Sequence, residues 1–261
     1  MSVSWDIRRA GSADARHRAL LIPGGMCSHE FYADLVAEPA LAGLGTVAVT
    51  PPGFGGTEAP DDVGMDSYAR LLAELAREER CDVVVGHSLG ANWALEMAAA
   101  GYFTGPLVLL SPTFSRGDES KVLAMMDAAG RVPLLGRLVW TGMLKLLPRA
   151  MRGSLPAHRA DALTAAMTGN DPGVCRRMVR RYYAYLDHHG TLVDRLCRAG
   201  VPAWVVRGEH DEIGLTEDER RGLEACPHVT LRTVPDAGHL LLVEQPARVA
   251  ATVMEAVAAL P

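Results

Sequence analysis

Gly86-His87-Ser88-Leu89-Gly90 carries the sharpest chemical signal in this chain. It is a G-x-S-x-G pattern, and with 26 glycines in 261 residues composition alone would supply roughly 0.1 of them. Cys81-Asp82-Val83-Val84-Val85 ahead of it reads as a strand, and the helix formers from Leu89 to Ala100 follow it. That context predicts a tight strand-to-helix turn on which a serine hydroxyl stands clear of a sheet. The flanking glycines relieve backbone crowding in such a turn. The first N–H groups of the helix beyond it have no intrahelical partner and suit a developing oxyanion.

A serine hydroxyl is a poor nucleophile until a base takes its proton, and the base needs an acid to orient it. His239, in Val234-Pro235-Asp236-Ala237-Gly238-His239, is the best placed of nine histidines. It follows the last strand-like run and precedes an apolar helical segment. Asp211, in Val206-Arg207-Gly208-Glu209-His210-Asp211, is the acid candidate, with Glu209 and Glu212 as competitors. The chain order Ser…Asp…His is the one that accompanies this elbow. Leu89 N–H is one expected oxyanion donor. The second is expected from the loop after Ala19-Leu20-Leu21-Ile22, at Gly25 or Met26. Losing one such donor typically costs ~2.7–4 kcal/mol of transition-state stabilisation. Each part has an ordinary reading by itself: a glycine-rich turn, a solvated loop histidine, a surface carboxylate. Their combination predicts acyl transfer through a serine.

The elements that must position these residues follow from periodicity. Apolar runs at Ala19–Ile22, Thr46–Val49, Val83–Val85, Leu107–Leu110, Ala203–Val206 and Val229–Val234 read as strands. Strands apolar throughout are buried on both faces, as in a parallel sheet covered by helices. Tyr68–Arg80, Leu89–Ala100 and about Pro246–Leu260 have helical spacing, and Pro246 suits a first helical position. The alternation predicts a doubly wound, mostly parallel α/β sheet. From Thr113 to about His189 no strand is expected. There Pro133, Pro148, Pro156 and Pro172 are expected to divide the chain into short helices, with Leu134 and Leu135 among the apolar residues. Residues 1–112 and 190–261 are thus expected to build the core domain, and 113–189 an inserted helical cap. Arg176, Arg177, Arg180 and Arg181 read as a solvated helix face with salt bridges.

Composition narrows the classes. Hydrophobic residues at 49% and charged residues at 22% exclude a disordered chain. A net charge of −5 leaves no footprint for nucleic acid or an anionic membrane. No stretch has membrane-helix length or signal-peptide character. The five cysteines are odd in number and scattered, which reads as reduced thiols in the cytoplasm. His188 and His189 lack zinc-ligand partners, so no metal is expected. Pro52-Gly53-Phe54-Gly55-Gly56-Thr57 has no phosphate-cradle spacing.

Together, Leu21-Ile22-Pro23-Gly24-Gly25-Met26, Pro52 to Thr57, Gly86 to Gly90, Gly208-Glu209-His210-Asp211 and Gly238-His239 resemble the α/β-hydrolase superfamily. The resemblance spans the chain outside roughly 113–189. It implies Ser88 as nucleophile, His239 as base, Asp211 as acid, and Gly25 and Leu89 as oxyanion donors. Pro23-Gly24 departs from the His-Gly of many members, which bears on subfamily and not on mechanism. The expectation is a serine hydrolase for a small, largely apolar ester, thioester or lactone, with no cofactor. Met26, His87, Trp140 and Tyr182 are its expected substrate contacts, and a homodimer is compatible with the sequence. Carbon–carbon bond hydrolysis, acyl transfer, perhydrolysis and cofactor-free lyase or cyclase chemistry share this constellation. An epoxide hydrolase or dehalogenase would carry an aspartate in place of Ser88. From another class, a non-catalytic ligand-binding protein on this fold is the rival.

Overall fold

A computed structural model describes residues 4–12, 14–131 and 136–260. Among these, seven strands form one sheet: β1 (Asp6–Ala10), β2 (Arg18–Ile22), β3 (Gly45–Thr50), β4 (Val83–His87), β5 (Leu107–Leu110), β6 (Ala203–Gly208) and β7 (Val229–Val234). The spatial order is β1-β3-β2-β4-β5-β6-β7. Only β1 runs antiparallel, pairing with β3 from Asp6↔Thr50 to Ala10↔Thr46. The helices are α1 (Ala33–Val36), α2 (Met65–Glu78), α3 (Leu89–Ala99), α4 (Lys121–Gly130), α5 (Gly136–Met151), α6 (Ala160–Ala166), α7 (Pro172–His189), α8 (Val193–Ala199), α9 (Glu217–Glu224), α10 (Leu241–Glu244) and α11 (Pro246–Ala258).

Alternate strand residues enter opposite cores, because side chains on a strand point to opposite faces in turn. Leu20, Ile22, Val47, Val84, Leu107, Leu109 and Val205 pack with α2, α3 and α8. Leu21, Ala48, Val83, Val85, Val108, Leu110 and Val206 pack with α1 and α11. Both faces are covered, as the all-apolar strands require. Since β2 lies between β3 and β4, the chain reverses its winding there. In such sheets the crevice at the carboxyl ends of the strands around that reversal is where ligands bind.

The structure adds β1, which hydropathy did not mark. It is a charged edge strand, and its Arg8 and Arg9 reach Glu30 and Glu79. Between β5 and β6 the described residues form five α-helices, α4 to α8, and no strand beyond one isolated bridge, Ser115↔Thr191. Asp171 caps α7 by accepting from Val174 N–H at 2.8 Å, and Pro172 opens that helix. Pro148 does not divide the chain as expected. It lies inside α5, and the helix runs on past it to Met151 even though the ring removes one i→i−4 backbone bond. Pro133, Leu134 and Leu135 lie outside the described residues. The four arginines of α7 also differ from expectation: none pairs with a carboxylate among the described residues. Among the described residues no helix is long and apolar enough to cross a membrane. All five cysteines are free.

Candidate active site

Ser88 sits between β4 and α3 with φ 52° and ψ −122°. That backbone conformation is rare for a residue with a side chain and persists only where the surroundings enforce it. Both glycines of the motif have a steric reason. A Cβ on Gly86 would overlap the carbonyl of Gly90, and a Cβ on Gly90 would overlap the carbonyls of Ile22 and Pro23. The turn closes on itself through the first glycine and packs on the end of β2 through the second. Ser88 N–H is anchored to Leu110 O at 2.8 Å. Ser88 and Leu89 are half-buried, while almost all of the following helix is buried.

The loops after β6 and β7 are laced together. His210 N–H donates to Ala237 O at 2.8 Å and Glu209 N–H to Val234 O at 2.9 Å. Gly208 has no room for a side chain beside the carbonyls of Ala237 and Gly238. This lacing delivers Asp211 to His239, with Oδ1 3.0 Å from Nδ1. The Asp211 side chain is 1% exposed and that of His239 is 22% exposed. Burial alone would raise the Asp211 carboxyl. The hydrogen bond and charge of His239, the nearby Ser111 hydroxyl and Ile213 N–H outweigh it and hold the group below the ordinary carboxylate range. An ionised carboxylate only accepts, so His239 carries its proton on Nδ1 and leaves Nε2 basic. Glu209 and Glu212 do not contact His239; Glu209 instead accepts from Asp236 N–H.

Gly24 and Gly25 press against this centre. A Cβ on Gly24 would lie 3.2 Å from Ser88 Cβ, and one on Gly25 would lie 3.4 Å from Leu89 Cδ2. Met26 follows with φ 63°. The N–H groups of Gly25, Met26 and Leu89 donate to no described backbone carbonyl. Ser88, Leu89, Gly25, Met26 and His239 are all half-buried, so the partly open groups gather at one end of the sheet.

Three of the expected substrate contacts are buried. Trp140 is 0% exposed and donates from Nε1 to Met126 O at 3.1 Å, filling the seam between α4 and α5. Tyr182 is buried and its hydroxyl bonds Glu119 Oε2 at 2.9 Å. His87, 1% exposed, lies beneath the centre with Nε2 2.8 Å from His239 O. A carbonyl only accepts, so His87 Nε2 bears the hydrogen. These side chains have almost no surface to offer a ligand. Met26 remains half-buried. Asn170 was missed by the sequence reading: from the α6–α7 loop it bonds Met26 O at 2.8 Å. Its only sequence mark was a polar residue in the turn Gly169-Asn170-Asp171-Pro172.

The model of the alpha/beta hydrolase family matches residues 19–252, nearly the whole chain. The chain belongs to this family. Comparison of the hydrolase with curated proteins finds no match. Among solved structures, it is similar to an enol-lactonase from Burkholderia xenovorans LB400 at 17% identity and TM-score 0.75, covering 97% of this chain and 96% of that one. It is also similar to a thermophilic esterase from Thermogutta terrifontis at 19% identity and TM-score 0.73, covering 98% and 93%. The N-acyl homoserine lactonase AidH aligns at 18% identity and TM-score 0.74, covering 98% and 96%. At these identities the likeness is one of fold.

Proposed function

We propose that this hydrolase cleaves a small, largely apolar carboxylic ester, thioester or lactone through an acyl-enzyme on Ser88. The reading is carried by the Asp211–His239 hydrogen bond of 3.0 Å at the same sheet edge as the strained Ser88 turn. Ser88 Oγ attacks the carbonyl carbon while His239 Nε2 takes its proton. The carbonyl oxygen becomes an oxyanion, held by the N–H groups of Leu89 and of Gly25 or Met26. The tetrahedral adduct collapses, the leaving oxygen or sulfur takes the proton from His239, and an acyl-serine remains. Water, deprotonated by His239, then releases the acid and restores the hydroxyl. Asp211 stays ionised and stabilises the imidazolium formed twice per cycle. The half-buried side chains of Met26 and Leu89 give the opening apolar walls, which favour an uncharged acyl group. The esterase and lactonases similar in fold support ester and lactone substrates at the level of family. Residues 113–189 are read as the cap over this edge.

The test uses a panel of p-nitrophenyl esters, thioesters, lactones and 1,3-diketones, with fluorophosphonate labelling. Ser88→Ala should lose turnover by a factor of at least about 10³ and lose the label while remaining folded. Turnover at the wild-type level in this variant would refute the assignment. Cleavage of diketones with no ester turnover would transfer the site to carbon–carbon bond hydrolysis.

A further inference from the structure

Asn170 takes no part in the steps above, yet it spends its hydrogen-bonding capacity on the loop that supplies the oxyanion donors. It is 8% exposed. Nδ2 donates to Met26 O at 2.8 Å and to Met167 O at 2.9 Å, and Oδ1 accepts from Gly55 N–H at 3.0 Å. The amide therefore joins three segments: the end of α6, the Gly24–Met26 loop and the Pro52–Thr57 loop. Behind it the backbones touch, since a Cβ on Gly169 would lie 2.9 Å from both Gly55 C and Gly56 N.

The Gly24–Met26 loop needs such a clamp. Gly24 and Gly25 have the freest backbones of any residue type. Their side-chain hydrogens cannot anchor them, and Met26 is held at φ 63°, where a side chain is disfavoured. Oxyanion donors act only when aimed at the position the charged oxygen will occupy, and a displacement of about 1 Å can cost on the order of 10²-fold in rate. Asn170 grips the carbonyl of Met26, one residue beyond Gly25.

We propose that Asn170 is a positioning residue through which the helical insertion aligns the oxyanion loop. The proposal rests on the acyl-enzyme reading of Ser88. Loss of the amide lowers kcat more than it changes KM, because the ground-state carbonyl makes less demand on the donors than the oxyanion does. An aspartate keeps an acceptor for Gly55 N–H but sets an anionic oxygen against Met26 O, so Asn170→Asp is at least as impaired as Asn170→Ala. Gly169→Ala disturbs the same junction without touching the amide.

The experiment measures kcat and KM for a small aryl ester, and Ki for phenylboronic acid, whose tetrahedral adduct on a serine mimics the oxyanion state. Asn170→Ala and Asn170→Asp should lose about 10- to 100-fold in kcat with KM within about threefold of wild type. Ki for the boronic acid should rise by the same factor as kcat falls, and Gly169→Ala should follow in the same direction. Thermal melts place every assay well below unfolding. Should Asn170→Ala fail to fold, the near-isosteric Asn170→Asp makes the same discrimination. Folded variants with wild-type kcat and boronate affinity, even if less thermostable, would overturn the role of Asn170 alone. A wild type with no ester turnover and no label on Ser88 would overturn the acyl-enzyme reading and this inference with it.

Discussion

His87 separates two roles that its place in the motif leaves merged. Its neighbour Ser88 is half-buried, whereas its own ring is sealed inside and holds the main chain of His239. Burial, and then the charge of His239, push the His87 imidazole down from 6.5 to about 3. An unfolded chain takes up a proton below about pH 6.5 that the folded chain refuses until about pH 3. Stability from the neutral ring is therefore complete above pH 6.5 and declines as pH falls towards 3. Asp211, also depressed, adds to the acid limb: its contribution is present above 3.8 and is lost as pH falls through its lower folded value. In His87→Gln an N–H donor remains but the titration is gone. The slope of melting temperature against pH between 6.5 and 4 should become shallower than in the wild type, as followed by circular dichroism. Parallel slopes would contradict this account.

The β4–α3 turn and the β6 and β7 loops were readable because each demands particular residue types. Gly86 and Gly90 fit only where main chain meets main chain, and their spacing around Ser88 encodes that contact. Gly142, within α5, has nothing within 4 Å of an added Cβ. The three glycines should respond oppositely to the same substitution. Gly86→Ala and Gly90→Ala should cost about 3 kcal/mol or more, or prevent folding, because a methyl is driven into carbonyl oxygens. Gly142→Ala should add about 0.5–1 kcal/mol, since alanine restricts the unfolded chain and favours the helix. Urea unfolding of the variants measures both signs. The β1 edge strand escaped the sequence reading for the converse reason. None of its residues is buried, and its pairing with β3 is backbone hydrogen bonding that no side-chain pattern announces.

At the scale of the molecule, the 113–189 segment shares its core with the sheet. Trp140, Met178, Tyr182 and Leu186 belong to the same apolar cluster as Leu20, Val84 and Trp93, and Leu163 joins the cluster on the other sheet face. Tyr185 reaches Glu96 of α3 at 2.6 Å, beside the Arg195–Glu96 ion pair, and Arg159 bonds Glu30. Charge is also divided: 113–189 hold 12 Lys and Arg against 6 Asp and Glu, leaving 14 against 25 elsewhere. The net −5 thus hides a basic insertion on an acidic body, and opposite signs favour their contact. With a shared core and crossing ion pairs, insertion and body should unfold in one transition. Tryptophan fluorescence and far-UV circular dichroism should give coincident urea curves. Separate midpoints would make the insertion an independent unit.

The strand runs, the helical periods and the spaced glycines around Ser88, Asp211 and His239 are written in the order of residues. Burial on both sheet faces and close backbone approach each select residue types locally, so one sequence suffices to read them. Tertiary structure alone decided that Trp140, Tyr182 and His87 are buried supports and that Asn170 grips Met26. Those outcomes depend on which distant segments meet. A hydrogen bond between residues 144 positions apart leaves no periodicity in the chain that makes it.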